Sequence, residues 1–375
     1  MVEGKRQTTE RREFLKLLAT VGVGSLVIPS FLKQDLIEIF AEARDYWHIC
    51  WLNGAACTGC AVSLAQAADP DLIKVLTSLI VGNSNLPIAL PDYMQVLHPS
   101  SGSLAIEFID TWKKGSDKKR ILIVEGSVQK KGFCKIGGRD FRDWLLDATN
   151  YADYVISFGS CSSYGGIPHA KGNVTGAMGV QDFYREVGIK KLVINLPRCP
   201  GHPDSLILTL AAIMVGKVPE LDAFGRPKDF YGINIHSNRC AYRPYYDRGI
   251  FIQRPGEFPV EGAEEGCRYK IGCKGPVAYA DCGQRRWNNG VSWCIEVGSP
   301  CIACSEPAFP DGDTGPFWQE LPGLPLVLGI PIDTWGKAMM VAGAAGVAIH
   351  FAKRVITKRG EGERKEEEKE EEGGE

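Results

Sequence analysis

The stretch "YWHICWLNGAACTGC", residues 46–60, decides the fold. Its first seven residues form an apolar run rich in aromatic side chains. That predicts a short strand buried on both faces of a sheet. "NGAACTGC" follows at once and sets Cys57 and Cys60 just beyond the strand. Three similar runs appear before residue 200: "RILIVEG", "YVISFGS" and "KLVINLP". Helical patterns lie between the runs, over 63–79 and 139–148. Strands that alternate with helices predict an α/β domain with a parallel sheet. Cys161 follows the third run in "FGSC", and Cys199 follows the fourth in "NLPRCPG". Ligands of open α/β sheets bind beyond the carboxyl ends of the strands. Four cysteines distant in sequence should therefore meet at one edge.

Outward from this core the chain changes character. Its 375 residues allow two or three domains, and 44% hydrophobic content permits a sizeable interior. The net charge of −2 gives no basic field for a nucleic-acid partner. After about Phe224 the strand–helix rhythm stops, and 225–330 is rich in Gly, Pro, Cys and Trp. Seven of the 13 cysteines fall there, from Cys240 to Cys304. Such a segment needs metal staples to hold together. Eleven cysteines and one histidine make three four-ligand sites. The first is Cys57, Cys60, Cys161 and Cys199. The second is His236, Cys240, Cys267 and Cys273. The third is Cys282, Cys294, Cys301 and Cys304. Spacing alone does not prove the division of the last two. Iron–sulfur clusters, structural zinc and disulfides all remain open to such cysteines. Cys50 reads as a small core residue and Cys134 as a bystander. His48, His98, His169 and His202 read as structural.

The two ends carry addresses. Arg11 and Arg12, in "ERREFLKLLATVGVGSLVIPSF", read as a twin-arginine export signal over 1–43, with "AEA" at 41–43 as a cleavage site. That route carries folded proteins, which suits one loaded with cofactors first. Near the other end, "AMMVAGAAGVAIHFA" is uncharged from Ala338 to Ala352. Counted from about Ile332 it reaches the length of a spanning helix, so 331–353 is expected to anchor the chain. With the body exported, Lys353, Arg354, Lys358 and Arg359 are expected to face the cytoplasm. His350, inside the anchor, reads either as a haem ligand at a membrane partner or as a headgroup-level residue. The segment 354–375 reads as a charged, solvated tail.

Seven ordered motifs resemble one family: "WLNGAACTGC" (51–60), "VEGS" (124–127), "GSCSSYGGI" (159–167), "INLPRCPGHP" (194–203), "GCKGPVAYADC" (272–282), "RRWNNGVSW" (285–293) and "CIACSEPAF" (301–309). The chain resembles the small, electron-transferring subunit of exported, membrane-attached nickel–iron hydrogenases. The resemblance implies a flavodoxin-like domain over 44–224 that holds a proximal 4Fe–4S cluster on Cys57, Cys60, Cys161 and Cys199. It implies a small, irregular iron–sulfur domain over 225–330. There a distal 4Fe–4S cluster would use His236, Cys240, Cys267 and Cys273, and a medial cluster Cys282, Cys301 and Cys304. The nickel–iron centre would sit in a large-subunit partner. Electrons from hydrogen would reach a membrane cytochrome b or another acceptor.

Three departures stand out. "HSNRC" places His236 four residues before Cys240, where the family has three. Oxygen-tolerant members carry two extra cysteines, and the matching positions here are Gly59 and Gly166, which implies an ordinary proximal cluster. Cys294 stands where many members have proline, so a fourth thiolate is expected to make the medial cluster 4Fe–4S rather than 3Fe–4S. The competing readings are a cluster subunit like that of respiratory complex I, which matches only the first domain, and a zinc-stapled exported binding protein.

Overall fold

The computed structural model describes residues 47–67, 92–114, 119–237, 240–255, 265–312, 317–321, 326–327, 330–331 and 338–354. The export signal with Arg11 and Arg12, and the acidic tail, lie outside these residues.

All four expected strands form: β1 (Trp47–Asn53), β3 (Lys119–Glu125), β6 (Tyr154–Phe158) and β7 (Val193–Leu196). A fifth, β2 (Tyr93–Met94), adds two residues at one edge, and β4 (Lys135–Ile136) with β5 (Arg139–Asp140) makes a small separate hairpin. The large sheet is parallel throughout, in the order β2-β1-β3-β6-β7. Counted among its own five strands this is 2-1-3-4-5, the flavodoxin-like order, with its switch point between β1 and β3.

Helices cover both faces. In chain order they are α1 (Gly59–Ala65), α2 (Gly102–Trp112), α3 (Phe141–Tyr151), α4 (Ser160–Tyr164), α5 (Val180–Val187) and α6 (Pro203–Met214). The helix expected over 63–79 begins earlier, at Gly59. It ends at Ala65, with Gln66 at its C-cap, and the expected residues from 68 onward lie outside the described ones. The early start follows from a cap that the local pattern does not show, described below.

Alternation along each strand divides the core. Trp47, Ile49, Trp51, Ile121, Ile123, Ile156, Phe158, Ile194 and Leu196 point to one face, where α1 and α6 pack. Cys50, Leu52, Leu122, Val124, Val155 and Val193 point to the other, against α2, α3 and α5. Cys50 is fully buried there, as expected of a core residue, and Cys134 packs on the rim of the same cluster. The cysteine-rich segment shares the first cluster through Phe230, Tyr231, Ile235, Tyr242, Trp293 and Ile295. It holds few regular elements: α7 (Lys228–Tyr231), α8 (Arg243–Asp247), α9 (Cys282–Arg285) and single 3-10 turns.

Pro322–Glu375 forms a separate unit. It contains a short pairing of β8 (Leu326–Val327) with β9 (Ile330–Pro331) and a helix, α10, over 338–354. Met339, Met340, Val341, Val347, Ile349 and Phe351 of this helix are exposed. Among the described residues no helix is long and apolar enough to cross a membrane. The first part of the expected anchor, 332–337, lies outside them.

Candidate metal centres

The carboxyl ends of three strands deliver the first four cysteines. Cys57 and Cys60 follow β1, Cys161 lies in α4 after β6, and Cys199 follows β7. Their thiols face one another: Cys60 is repelled by Cys161 and Cys199, and Cys161 by Cys199 and Cys57. Burial, then Cys199, pushes the Cys161 thiol up to about 12. A raised thiol is slow to form the thiolate, which is the reactive form. A bound metal centre reverses this by neutralising the thiolates.

Backbone amides already point at these sulfurs. Gly201 N donates to Cys60 Sγ at 3.3 Å and Gly59 N to Cys57 Sγ at 3.4 Å. Two glycines shape the cradle. Gly166 has φ +57°, and a Cβ on it would lie 2.7 Å from Cys161 Sγ. Gly159, at φ +97°, would press a Cβ into Cys60 Sγ. Only glycine takes such backbone angles readily and admits sulfur so close.

The spacing of cysteines did not disclose Glu125, at the carboxyl end of β3. It is buried, and its carboxylate accepts four hydrogen bonds. Trp51 Nε1 and Asn53 Nδ2 reach Oε2, each at 3.1 Å. Cys60 N, at 3.1 Å, and Ala61 N, at 3.3 Å, reach Oε1. The last two are free amides of the first turn of α1. Thr58, at the N-cap with φ +61°, makes no side-chain cap bond. Glu125 therefore caps this helix from a neighbouring strand and holds the turn that carries Cys57 and Cys60. The signal in sequence was an acidic residue ending an otherwise apolar strand.

The third group also converges. Cys282 opens α9, and its thiol is pushed up to about 11 by burial, with the Arg198 cation opposing. Cys304 faces Cys282, Cys294 and Cys199, while Cys301 faces Cys273, Cys304 and Cys282. Cys294, exposed as a residue in the isolated chain, thus acts on the same space as Cys282 and Cys304. In the second group Cys273 faces Cys267 and Cys240. His236 flanks the same glycine as Cys273: a Cβ on Gly275 would lie 3.4 Å from Cys273 Sγ and 3.8 Å from His236 Cβ. The His236 ring stacks edge-on against Tyr246, and its Nε2 is buried without a hydrogen-bond partner. An orphaned imidazole nitrogen beside three thiols suits a metal ligand. None of the 13 cysteines is in a disulfide.

The three groups are linked. Ser160, beside Cys161, donates its hydroxyl to Cys304 O. The Cys301 amide donates to Cys273 Sγ at 3.4 Å. Among the described residues no three His, Cys, Asp or Glu converge as one metal ion requires. A tetrahedral zinc would draw its sulfurs to about 3.8 Å of each other. Four of the other histidines have structural partners: His48 with Asp92, His98 with Ser100, His169 with Ala177 and Asn173, and His202 with Arg286 and Asp204.

Residues 231–317 match the family model for the C-terminal part of the NiFe/NiFeSe hydrogenase small subunit. Over 328 residues the chain is 35% identical to the periplasmic [NiFeSe] hydrogenase small subunit of Desulfomicrobium baculatum, spanning 82% of this chain and 98% of that one. The chain belongs to the nickel–iron hydrogenase small subunits. It is 36% identical to an uptake hydrogenase small subunit of Cupriavidus necator, over 94% of each. A crystal structure of the H2-activated D. baculatum [NiFeSe] hydrogenase superposes with a TM-score of 0.63 at 34% identity, covering 73% of this chain and 99% of that one.

As a hydrogenase small subunit, the chain is the electron-transfer partner of a large subunit. Its first domain, 57–213, also matches the model for the 20 Kd subunit of NADH ubiquinone oxidoreductase. That explains the complex I-like reading of the first domain. The hydrogenase-type segment after residue 231 decides between them, and it removes the zinc-stapled binding protein as well.

Proposed function

We propose that the small subunit holds three iron–sulfur clusters in a row. The proximal one would sit on Cys57, Cys60, Cys161 and Cys199. The medial one would sit on Cys282, Cys294, Cys301 and Cys304, as 4Fe–4S. The distal one would sit on His236, Cys240, Cys267 and Cys273. When bound, such clusters supply one-electron carriers whose potentials depend on ligands, hydrogen bonds and burial. The observations that carry the order are two bonds: the hydroxyl of Ser160, the neighbour of Cys161, to Cys304 O, and the Cys301 amide to Cys273 Sγ. They tie the first ligand set to the third and the third to the second, so the third set is central. Cys57 and Cys199 are exposed in the isolated chain, which marks that end as the face for the large subunit.

The body is assigned to the outer side of the cell membrane. The support is the twin-arginine pattern at Arg11 and Arg12, the exposed apolar side chains of α10, and the basic residues Lys353 and Arg354 at its end. A membrane cytochrome b or a similar carrier would take the electrons.

The test is the iron content and resonance spectrum of the complex with its large subunit. About twelve irons and no intrinsic 3Fe signal in the oxidised protein are expected. About eleven irons with a 3Fe signal near one spin per complex would sink the four-iron medial site. Cys294→Pro should create that signal and leave the other two clusters unchanged.

A further inference from the structure

Arg198 lies between two of the candidate centres and is a ligand of neither. It directly precedes Cys199, and it is fully buried. Its Nη2 donates to Oδ1 of Asp281, the residue before Cys282. Asp281 Oδ2 is held in turn by Arg285 Nε at 2.8 Å, so one carboxylate serves two guanidinium groups. Tyr231 lies against the Arg198 guanidinium, with its ring centroid 5.2 Å from Cζ. The Tyr231 hydroxyl is fixed by a 2.8 Å bond to Pro197 O. The backbone is fixed as well, since Ser160 N donates to Arg198 O at 3.0 Å. The Arg198 side chain therefore has little freedom to move.

These contacts leave Arg198 Nε and Nη1 buried with no hydrogen-bond partner. A guanidinium has five N–H donors, no acceptor, and a charge it does not lose in proteins. Donors of a buried cation are rarely left unmet. The carboxylate that holds Arg198 belongs to Asp281, directly before Cys282, so the unmet donors lie beside the Cys282 ligand set. Sulfur ligands of a cluster and its bridging sulfides accept N–H bonds, and such bonds together with a fixed positive charge raise the reduction potential.

We propose that Arg198 donates Nε–H and Nη1–H to sulfur of the cluster held by Cys282, and that its charge raises the potential of this medial cluster. The proposal rests on the ligand assignment above. Reduction there adds one electron from the proximal side and reoxidation passes one electron to the distal side. No bond forms or breaks, and Arg198 keeps its proton throughout. A higher medial potential draws electrons away from the proximal end and so favours hydrogen oxidation.

The experiment is a redox titration of the intact complex, followed by paramagnetic resonance, for wild type, Arg198→Gln and Arg198→Lys. At a fixed potential the reduced-to-oxidised ratio of the medial cluster should fall at least tenfold in Arg198→Gln, a downward shift of about 59 mV for a one-electron couple. Arg198→Lys should recover most of it. Equal midpoints in wild type and Arg198→Gln overturn the proposal. A second measurement needs no variant. Wild-type complex labelled with 15N-arginine should show nitrogen modulation on the reduced medial cluster, and its absence overturns the proposal even where Arg198→Gln does not assemble. If Cys294→Pro and Cys304→Ser leave every cluster signal unchanged, the ligand assignment itself has failed. If those signals change but no shift and no 15N coupling appear, the role of Arg198 alone has failed.

Discussion

Glu125→Gln is the residue-scale test of how the Cys57–Cys60 turn is held. The carboxylate accepts from Trp51, Asn53, Cys60 and Ala61. Glutamine keeps one acceptor oxygen and turns the other corner into an NH2 that faces N–H donors. Losing charge-assisted bonds in a buried site costs about 1–3 kcal/mol. The amides of Cys60 and Ala61 should then exchange with solvent roughly tenfold to a hundredfold faster. Unchanged exchange would mean that the cluster ligands alone fix the turn. Glu125 and Arg198 share a reason for being hidden in the sequence. A single charged residue beside an apolar run looks like a surface residue, and its partners lie far away. Asp281 is 83 positions from Arg198, and Cys60 is 65 from Glu125. Cys57, Cys60, Cys161 and Cys199 were legible because thiols are scarce, and because they follow strands whose ends are legible too.

The strands themselves were legible for a physical reason: burial on both faces leaves no polar position to break the apolar run. β2 was not, since two residues carry no period. The start of α1 was misplaced because its cap comes from β3 instead of from the preceding loop. α6 shows the opposite case, a helix whose start is written locally. His202 caps it, Pro203 occupies the first turn, and Asp204 follows. Asp204 N donates to His202 Nδ1 at 3.2 Å, and His202 Nε2 donates to Arg286 O at 2.6 Å. The neutral ring is thus fully used, and a second proton would break the cap. Burial, then Arg198, lowers its pKa to about 4. The unfolded chain protonates near 6.5, so it binds a proton that the native state refuses between those values. Stability is therefore complete above about pH 6.5 and falls by about 3 kcal/mol as pH drops to about 4. His202→Gln should flatten this part of the acid-stability curve measured by thermal unfolding. An unaltered curve would place the acid sensitivity elsewhere. The irregular segment makes a second prediction at this scale. Its helices span four or five residues, too few to stand alone. Removing iron with a chelator should raise amide exchange across 232–312, while β1, β3, β6 and β7 keep most of their protection. Equal loss of protection in both regions would show that the sheet depends on the clusters too.

At the scale of the molecule, the division of labour follows from where apolar surface is covered. Among the described residues up to Leu321, the buried apolar side chains gather in two clusters, one on each face of the sheet. α10 is different: Met339, Met340, Val341, Val347, Ile349 and Phe351 are all exposed in the isolated chain. Six large apolar side chains on one helix need a cover of lipid or of another helix. Ala342 and Gly346, four positions apart, permit a partner helix to approach closely. The described helix rises about 1.5 Å per residue, so its 17 residues alone fall short of a bilayer core of roughly 30 Å. In the proposed anchor, the sequence from Ile332 would supply the missing length, with Trp335 suited to the interface. Truncation after Pro331 separates the two functions. The body retains every candidate ligand from Cys57 to Cys304, so hydrogen-dependent dye reduction by the complex should persist. The complex should move from the membrane fraction to the soluble one, and electron delivery to the membrane acceptor should be lost. Fractionation followed by both assays checks this. Continued membrane retention with full delivery would show that a partner subunit provides the attachment.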